Sequence, residues 1–127
     1  MTYNISVIVP FLNEEKYLEE SVERLLKTKL FTHIILVNDG SKDKSPAIAR
    51  QLDENNVNVQ LISLDNQKGK GNAIKTGLEH VQTSHLIVHD ADLEYFPSDI
   101  PEMFEIAKKN PSSLILGSRT IGVKKRN

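Results

Sequence analysis

The chain has 127 residues, of which 39% are hydrophobic and 26% charged, and this composition predicts one globular domain over residues 1–127. Its 16 Lys and Arg side chains nearly balance 17 Asp and Glu, so the net charge of −1 argues against a nucleic-acid partner. The absence of cysteine excludes disulfides, thiolate catalysis and Cys-based zinc sites. Without a signal peptide or an apolar run that could span a bilayer, the sequence predicts a cytoplasmic chain with no transmembrane segment.

Short runs of strand-forming residues alternate along the chain with segments whose apolar residues have helical spacing. Residues 5–9 predict a first strand, and a helix face follows with apolar residues at Leu18, Val22, Leu25 and Leu26. Residues 33–37 predict a second strand, and Ser45-Pro46 has the pattern of an N-cap with proline opening a helix. A third strand over 57–64 and a third helix over 72–81 follow. Residues 85–89 predict a fourth strand, 97–106 a fourth helix and 113–116 a fifth strand.

This alternation predicts βαβ units and a mainly parallel sheet covered on both faces, which is a three-layer α/β/α, Rossmann-like architecture. Residues 123–127 are basic and carry no periodic pattern. No helix is predicted after the fifth strand, so we expect the domain to be incomplete at its C-terminus. An incomplete sheet exposes an edge and apolar surface, which leaves homo-oligomer formation open.

Polar and flexible residues concentrate after the strands. In an open parallel sheet, ligands bind outside the carboxyl ends of the strands, so these residues predict a site on one rim. After strands one to five they are Pro10, Asn13 and Glu14; Asn38, Asp39, Gly40 and Ser41; Asp65, Lys68, Gly69, Lys70 and Gly71; Asp90, Asp92 and Glu94; and Gly117, Ser118 and Arg119. The opposite rim carries ordinary helix ends and turns, and this asymmetry favours a site.

Asp90-Ala91-Asp92 directly follows the fourth predicted strand. Carboxylates at i and i+2 can point the same way and offer hard oxygen ligands to Mg²⁺ or Mn²⁺, and Glu94 can add a third. The alternative is a turn with solvated aspartates. A calcium loop of the EF-hand type fails, because glycine and glutamate are missing at its sixth and twelfth positions. A phosphotransferase or phosphatase with Asp90 as nucleophile is the more serious rival.

Lys68-Gly69-Lys70-Gly71 invites a phosphate-loop interpretation, but the pattern is incomplete. The Walker motif needs Ser or Thr after Gly-Lys, and the dinucleotide fingerprint should follow the first strand. What the segment predicts is a basic loop at a helix N-terminus, suited by charge and dipole to a diphosphate, with a solvated turn as the alternative. The four histidines have no ligand spacing and favour structural roles.

Taken together, five segments closely resemble the inverting family 2 glycosyltransferases of the GT-A fold, in the branch that transfers mannose or glucose to dolichyl or polyprenyl phosphate. In chain order they are Ser6-Val7-Ile8-Val9-Pro10-Phe11-Leu12-Asn13-Glu14-Glu15, Val37-Asn38-Asp39-Gly40-Ser41, Lys68-Gly69-Lys70-Gly71-Asn72-Ala73, Asp90-Ala91-Asp92-Leu93-Glu94-Tyr95 and Gly117-Ser118-Arg119. The resemblance covers about residues 4–119.

The resemblance implies a role for each segment. Pro10, Asn13 and Glu14 would line the nucleoside pocket, Asp39 would contact the base, and Lys68 with the glycine loop would approach the diphosphate of a UDP- or GDP-sugar. Asp90 and Asp92 would form the DXD metal site, with Glu94 as a further ligand of Mn²⁺ or Mg²⁺. Arg119 would meet an acceptor phosphate, which would place the chain at the cytoplasmic membrane face.

Two departures qualify these expectations. The usual aspartate pair after strand two is Asn38-Asp39 here, so only an amide is available at the first position, to hydrogen-bond a ribose or base. Family catalytic domains also continue well beyond the Gly-Ser-Arg motif, so the acceptor half cannot be assigned. The sequence therefore predicts sugar transfer with inversion, with a nucleotide-sugar-binding fragment without turnover as the first alternative and the phosphotransferase as the second.

Overall fold

A computed structural model of the chain describes residues 4–89, 91, 114–116 and 123–125. In chain order their elements are β1 (Ile5–Phe11), α1 (Leu18–Thr28), β2 (His33–Asn38), α2 (Ser45–Asn55), β3 (Val59–Ser63), α3 (Lys70–Leu78), β4 (His85–Val88), β5 (Leu114–Leu116) and β6 (Val123–Lys125). The strands form one sheet in the order β3-β2-β1-β4-β5-β6. All neighbouring pairs are parallel except β5 and β6. The predicted α/β class with a mainly parallel sheet is therefore confirmed.

Several local predictions differ from the structure. β3 and α3 are shorter than predicted, and α3 begins two residues earlier, at Lys70. Strand β6 was not predicted from the basic C-terminal residues, because three residues that include two lysines carry no periodic signal. Ser45 is the first residue of α2 and Lys44 is its N-cap, so the predicted N-cap is displaced by one residue. The predicted helix over 97–106 lies outside the described residues.

Two apolar layers hold the sheet between its helices. Every residue of β1 is buried, and alternate side chains point to opposite faces. On one face, Val7 and Val9 pack with Leu25 of α1 and Leu52 of α2. On the other face, Ile8, Ile35, Val37 and Val88 pack with Ala73 of α3. This confirms the predicted order of helix, sheet and helix.

Helix α3 lies unusually close to the sheet. A Cβ atom added at Gly77 would come within 2.8 Å of the Ile8 Cγ2 atom, so only glycine permits this distance between α3 and β1. Helix α3 contacts both β1 and β2. No helix in the described part of the chain is long and apolar enough to cross a membrane.

His89 follows β4 and is fully buried. Its Nε2 atom lies 3.2 Å from the Ser21 Oγ atom of α1, at hydrogen-bonding distance. This contact joins the end of β4 to α1 and agrees with the structural role predicted for the histidines.

Candidate functional site

The sheet opens at Pro10, where β1 and β4 separate. Their paired register ends at Ile8 and Val88, and the His89 N–H donates the last described bond of this ladder to the Ile8 carbonyl, at 2.9 Å. The next bond would need the N–H of residue 10, and proline has none. In the sheet, β2 and β3 lie on one side of β1, and β4 lies on its other side. The opening between β1 and β4 is therefore at the point where the strand order reverses.

A cleft of about 270 Å³ occupies this opening. The end of β1 contributes Pro10, Phe11, Leu12 and Glu14, and Asp39 comes from the end of β2. The loop before α3 and its first turns contribute Gln67, Gly69, Lys70 and Ala73, and Ala91 lies after β4. The wall is therefore apolar along β1, with two carboxylates, an amide and an ammonium group around it.

Asp39 holds the loop that forms the α3 side of the cleft. Its side chain is 4% exposed. The Lys68 N–H donates to Oδ1 at 2.9 Å and the Gly69 N–H donates to Oδ2 at 3.0 Å, so both carboxylate oxygens are used. Because Gly69 is the N-cap of α3, Asp39 fixes the start of that helix.

Gly40 lets the same loop approach the end of β2. Its φ angle of +81° lies in the left-handed region, and an added Cβ atom would stand 2.6 Å from the Gln67 backbone nitrogen. No side chain fits in that space, because the neighbouring atoms belong to the backbone. Gly40 and Asp39 together place Gln67 and Gly69 at the cleft.

Asn38 is also buried, and its side chain does not line the cleft described above. Its Oδ1 atom accepts a hydrogen bond from the Ser41 N–H at 2.8 Å, which closes the turn after β2. An amide oxygen can accept this bond in place of a carboxylate oxygen, so the turn forms although the usual aspartate is absent.

The predicted site residues divide between the cleft and its supports. Pro10, Glu14 and Asp39 line the cleft. The Asn13 side chain instead accepts a hydrogen bond from the Lys42 N–H at 2.8 Å. Lys68 and Gly71 flank the lining residues Gly69 and Lys70 along the chain.

Gln67 is a cleft residue that the sequence did not predict, and Lys70 was predicted only as part of the basic loop of residues 68–71. The helix was predicted to begin at residue 72, which left Lys70 in the preceding loop, whereas the structure starts α3 there and turns Lys70 towards the cleft. The signal available was glycine at residue 69, directly before the helix. Gln67 carried no signal, because its position depends on Gly40 and Asp39, which are distant from it in the sequence.

Asp90, Asp92, Glu94 and Arg119 lie outside the described residues. Ala91, between the two aspartates, is 3% exposed and lines the cleft. Within the described residues, no group of three His, Asp or Glu side chains is placed to hold a metal. The predicted metal site thus stays a prediction, on a segment whose central residue borders the cleft.

Asp43 supports the rim from outside the cleft, and its carboxylate is charged at neutral pH. Burial by itself raises the pKa of Asp43, but hydrogen bonds from the Ser45 hydroxyl and from the Ser45 and Glu15 N–H groups outweigh it. The pKa is therefore held below its ordinary value of 3.8. A lowered pKa stabilises the fold above the ordinary value, and this contribution is lost as the pH falls through the folded-state pKa.

We therefore expect Asp43→Asn to be less stable than wild type at pH 6, with a difference that shrinks as the pH falls below 3.8. Melting temperatures of both proteins between pH 2.5 and 6 check this expectation. A difference that stays constant over that range would show that the charge of Asp43 contributes nothing.

The chain belongs to the family described as glycosyl transferase family 2, whose model matches residues 6–127. The family predicted from the five segments is therefore confirmed. The match does not favour the phosphotransferase alternative.

Relatives with named activities support this assignment. The chain is 35% identical over 130 residues to a dolichyl-phosphate beta-glucosyltransferase of Trichomonas vaginalis, covering 92% of this chain and 40% of the relative. It is 34% identical to a dolichol-phosphate mannosyltransferase of Pyrococcus furiosus, covering 92% of this chain and 33% of the relative. The chain thus spans between a third and two fifths of the length of these relatives.

Solved structures share the fold. A mannosyltransferase from Pyrobaculum calidifontis in complex with GDP-Man and Mn²⁺ superposes with a TM-score of 0.67 at 25% identity, over 72% of this chain and 28% of the other. TarS from S. aureus in complex with UDP gives a TM-score of 0.72 at 22% identity, over 87% of this chain and 33% of the other. These neighbours are GT-A glycosyltransferases, so the GT-A fold is confirmed.

Proposed function

We propose that the chain is the nucleotide-sugar-binding part of a metal-dependent glycosyltransferase, which passes a sugar from a UDP- or GDP-sugar to a polyprenyl phosphate with inversion. The observation that carries the proposal is the cleft between β1, β4 and α3. It brings Asp39, Lys70 and Ala91 to one place at the point where the strand order reverses.

The cleft suits a nucleoside diphosphate in shape and charge. The apolar wall of Pro10, Phe11 and Leu12 offers a surface for a base, and the Glu14 carboxylate lies beside it. The first turn of α3 presents backbone N–H groups and Lys70 at the same cleft, which favours a diphosphate by charge and dipole. In this proposal four other predicted residues act on the donor mainly by shaping the loops around it. They are Asn13, Asn38, Lys68 and Gly71.

Asp90 and Asp92, with Glu94 as a further ligand, would hold Mn²⁺ or Mg²⁺. Carboxylate oxygens are the donor atoms that these hard cations prefer, and Ala91, the residue between the two aspartates, lines the cleft. A bound metal would neutralise charge on the diphosphate of the donor. The solved mannosyltransferase with GDP-Man and Mn²⁺ supports this choice of cation.

The acceptor side of the proposal rests on the relatives that use dolichyl phosphate. A phosphate oxygen is already anionic near neutral pH and needs no strong general base, so positioning by the protein is the main requirement. Arg119 is the residue we propose for the acceptor phosphate. A lipid acceptor would bring the chain to the cytoplasmic membrane face.

We expect Asp92→Ala to abolish nucleotide-sugar binding that depends on Mn²⁺. In a thermal-shift assay with UDP-glucose and GDP-mannose, ligand at a hundred times Kd raises the stability of the wild type by about 2.7 kcal/mol. The variant should show no metal-dependent rise, because it lacks one of the paired carboxylates.

Asp65→Ala is the matched control for this experiment. Asp65 is an exposed carboxylate in the loop before α3, on the same rim and outside the described cleft lining. The control should keep the full shift. An equal shift in Asp92→Ala and in wild type would contradict the metal assignment.

Binding and transfer are measured separately, because the chain spans at most two fifths of the relatives described above. Binding together with sugar transfer to a short polyprenyl phosphate would support the complete proposal. Binding without transfer would support the alternative of a donor-binding part without turnover. A trapped phospho-aspartate at Asp90 would instead favour the phosphotransferase.

A further inference from the structure

The loops after β1 and β2 are tied together by hydrogen bonds between side chains and backbone, which we call the loop latch (residues 13–15 and 41–45). We propose that Asp43 and Ser45 are positioning residues that hold Glu14 at the cleft through this latch. The inference deepens the proposed function and rests on it where ligand affinity is concerned. Neither residue lines the described cleft, so they would act through the loop.

Asp43 and Ser45 form the centre of the latch. The Glu15 N–H donates to Asp43 Oδ2 at 3.0 Å, and the Ser45 N–H donates to Asp43 Oδ1 at 2.8 Å. Ser45 is fully buried, and its Oγ atom accepts from the Glu14 N–H at 2.7 Å. One carboxylate and one hydroxyl thus fix two successive N–H groups of the loop after β1.

Further bonds run in both directions between the two loops. The Asn13 N–H donates to Ser41 Oγ at 2.9 Å, and the Lys44 N–H donates to Glu15 Oε1 at 3.1 Å. The Asn13 side chain also accepts a hydrogen bond from the Lys42 N–H. The φ angle of Asn13 is +54°, a left-handed conformation that most residues avoid. Because the bonds hold Asn13 in this conformation, the path of the loop is determined by its partner loop.

Glu14 is fixed on its other side by α1. Its carbonyl oxygen accepts from the N–H groups of Tyr17 at 3.1 Å and Leu18 at 2.9 Å, at the start of the helix. With its N–H held by Ser45 and its carbonyl held by α1, Glu14 has one backbone position at the wall of the cleft. A ligand that contacts this wall therefore binds to a site that is already ordered.

The test uses Asp43→Ala and Ser45→Ala, with Asp53→Ala as the matched control. Asp53 also accepts a backbone N–H on its carboxylate, from Leu61 at 2.8 Å, but on the β3 edge and outside the cleft lining. The first measurement is amide hydrogen exchange at Glu14 and Glu15 without ligand. The second is the Kd of UDP-glucose and GDP-mannose with Mn²⁺, well below the melting temperature of each variant.

We expect both latch variants to speed exchange at Glu14 and Glu15 by about tenfold and to weaken nucleotide-sugar affinity by about tenfold, a change typical of losing one ordering hydrogen bond. Asp53→Ala should speed exchange at Leu61 and leave Kd unchanged. Unchanged exchange at Glu14 and Glu15, or faster exchange with the wild-type Kd, would overturn the inference. If wild type binds neither nucleotide sugar, the proposed function fails, and the exchange result still decides whether the latch exists.

Discussion

Asp39→Ala is expected to lower the melting temperature by about 10 °C, the shift that a loss of about 3 kcal/mol produces in a domain of this size. The reason is that two backbone N–H groups, of Lys68 and Gly69, lose one buried carboxylate. Hydrogen bonds to a charged group contribute about 1.5–3 kcal/mol each, so this is among the largest single-residue effects at the site. Thermal or urea unfolding of the purified variant measures it.

Asp39→Asn tests the geometry of the same contact. An amide has one acceptor oxygen, and its NH₂ group would face one of the two N–H donors. This variant should lose between a third and two thirds of the effect of alanine, an order-of-magnitude expectation for one of two bonds. It should also weaken nucleotide-sugar binding, because Gly69 and Lys70 line the cleft. An Asp39→Asn protein with wild-type stability would contradict this description of the loop.

Gly40→Ala is expected to destabilise the chain by about 3 kcal/mol or more. The left-handed conformation costs an alanine about 1–2 kcal/mol, and the added Cβ atom would stand 2.6 Å from a backbone nitrogen and 2.9 Å from a backbone carbon of residues 66–67. Relief of that clash moves the loop that carries Gln67, so nucleotide-sugar affinity should fall as well. Chemical denaturation and a binding titration measure the two effects.

Gly71→Ala is the control for this prediction. Gly71 lies in the first turn of α3, and beyond its own helical turn a Cβ atom there would meet no atom of the described residues within 4 Å. Replacing glycine by alanine in a helix contributes about 0.5–1 kcal/mol of stability, so this variant should be equal to wild type or more stable. If the two variants were equally destabilised, the close approach at Gly40 would not be the cause.

The elements of the fold could be predicted from the sequence where apolar residues recur at a regular spacing. The strand that became β1 and the face of α1 at Leu18, Val22 and Leu25 were predicted correctly, because buried strands and amphipathic helices have distinct periods. The rim at the carboxyl ends of the strands followed from the same alternation, since a parallel sheet places those ends together.

Residue types alone did not predict which rim residues line the cleft and which hold the loops around it. Asn13 and Asn38 are polar loop residues like Glu14, but their side chains accept backbone N–H groups, Asn13 from Lys42 in the loop after β2 and Asn38 from Ser41 in its own turn. Ser45 gave only a helix-start signal and Asp43 gave none, whereas in the structure both accept backbone N–H groups of the loop after β1. The contacts of Asn13, Asp43 and Ser45 join residues 28 to 31 positions apart, and no local pattern encodes such a pairing.

The most direct test of the central claim is an NMR titration of the ¹⁵N-labelled chain with UDP-glucose and GDP-mannose, with and without Mg²⁺. We predict saturable, metal-dependent shifts of the amides of Phe11, Asp39, Gly69, Lys70 and Ala91, which surround the cleft between β1, β4 and α3. Shifts confined to other surfaces, or no saturable shift with either nucleotide sugar, would contradict a donor site in this cleft.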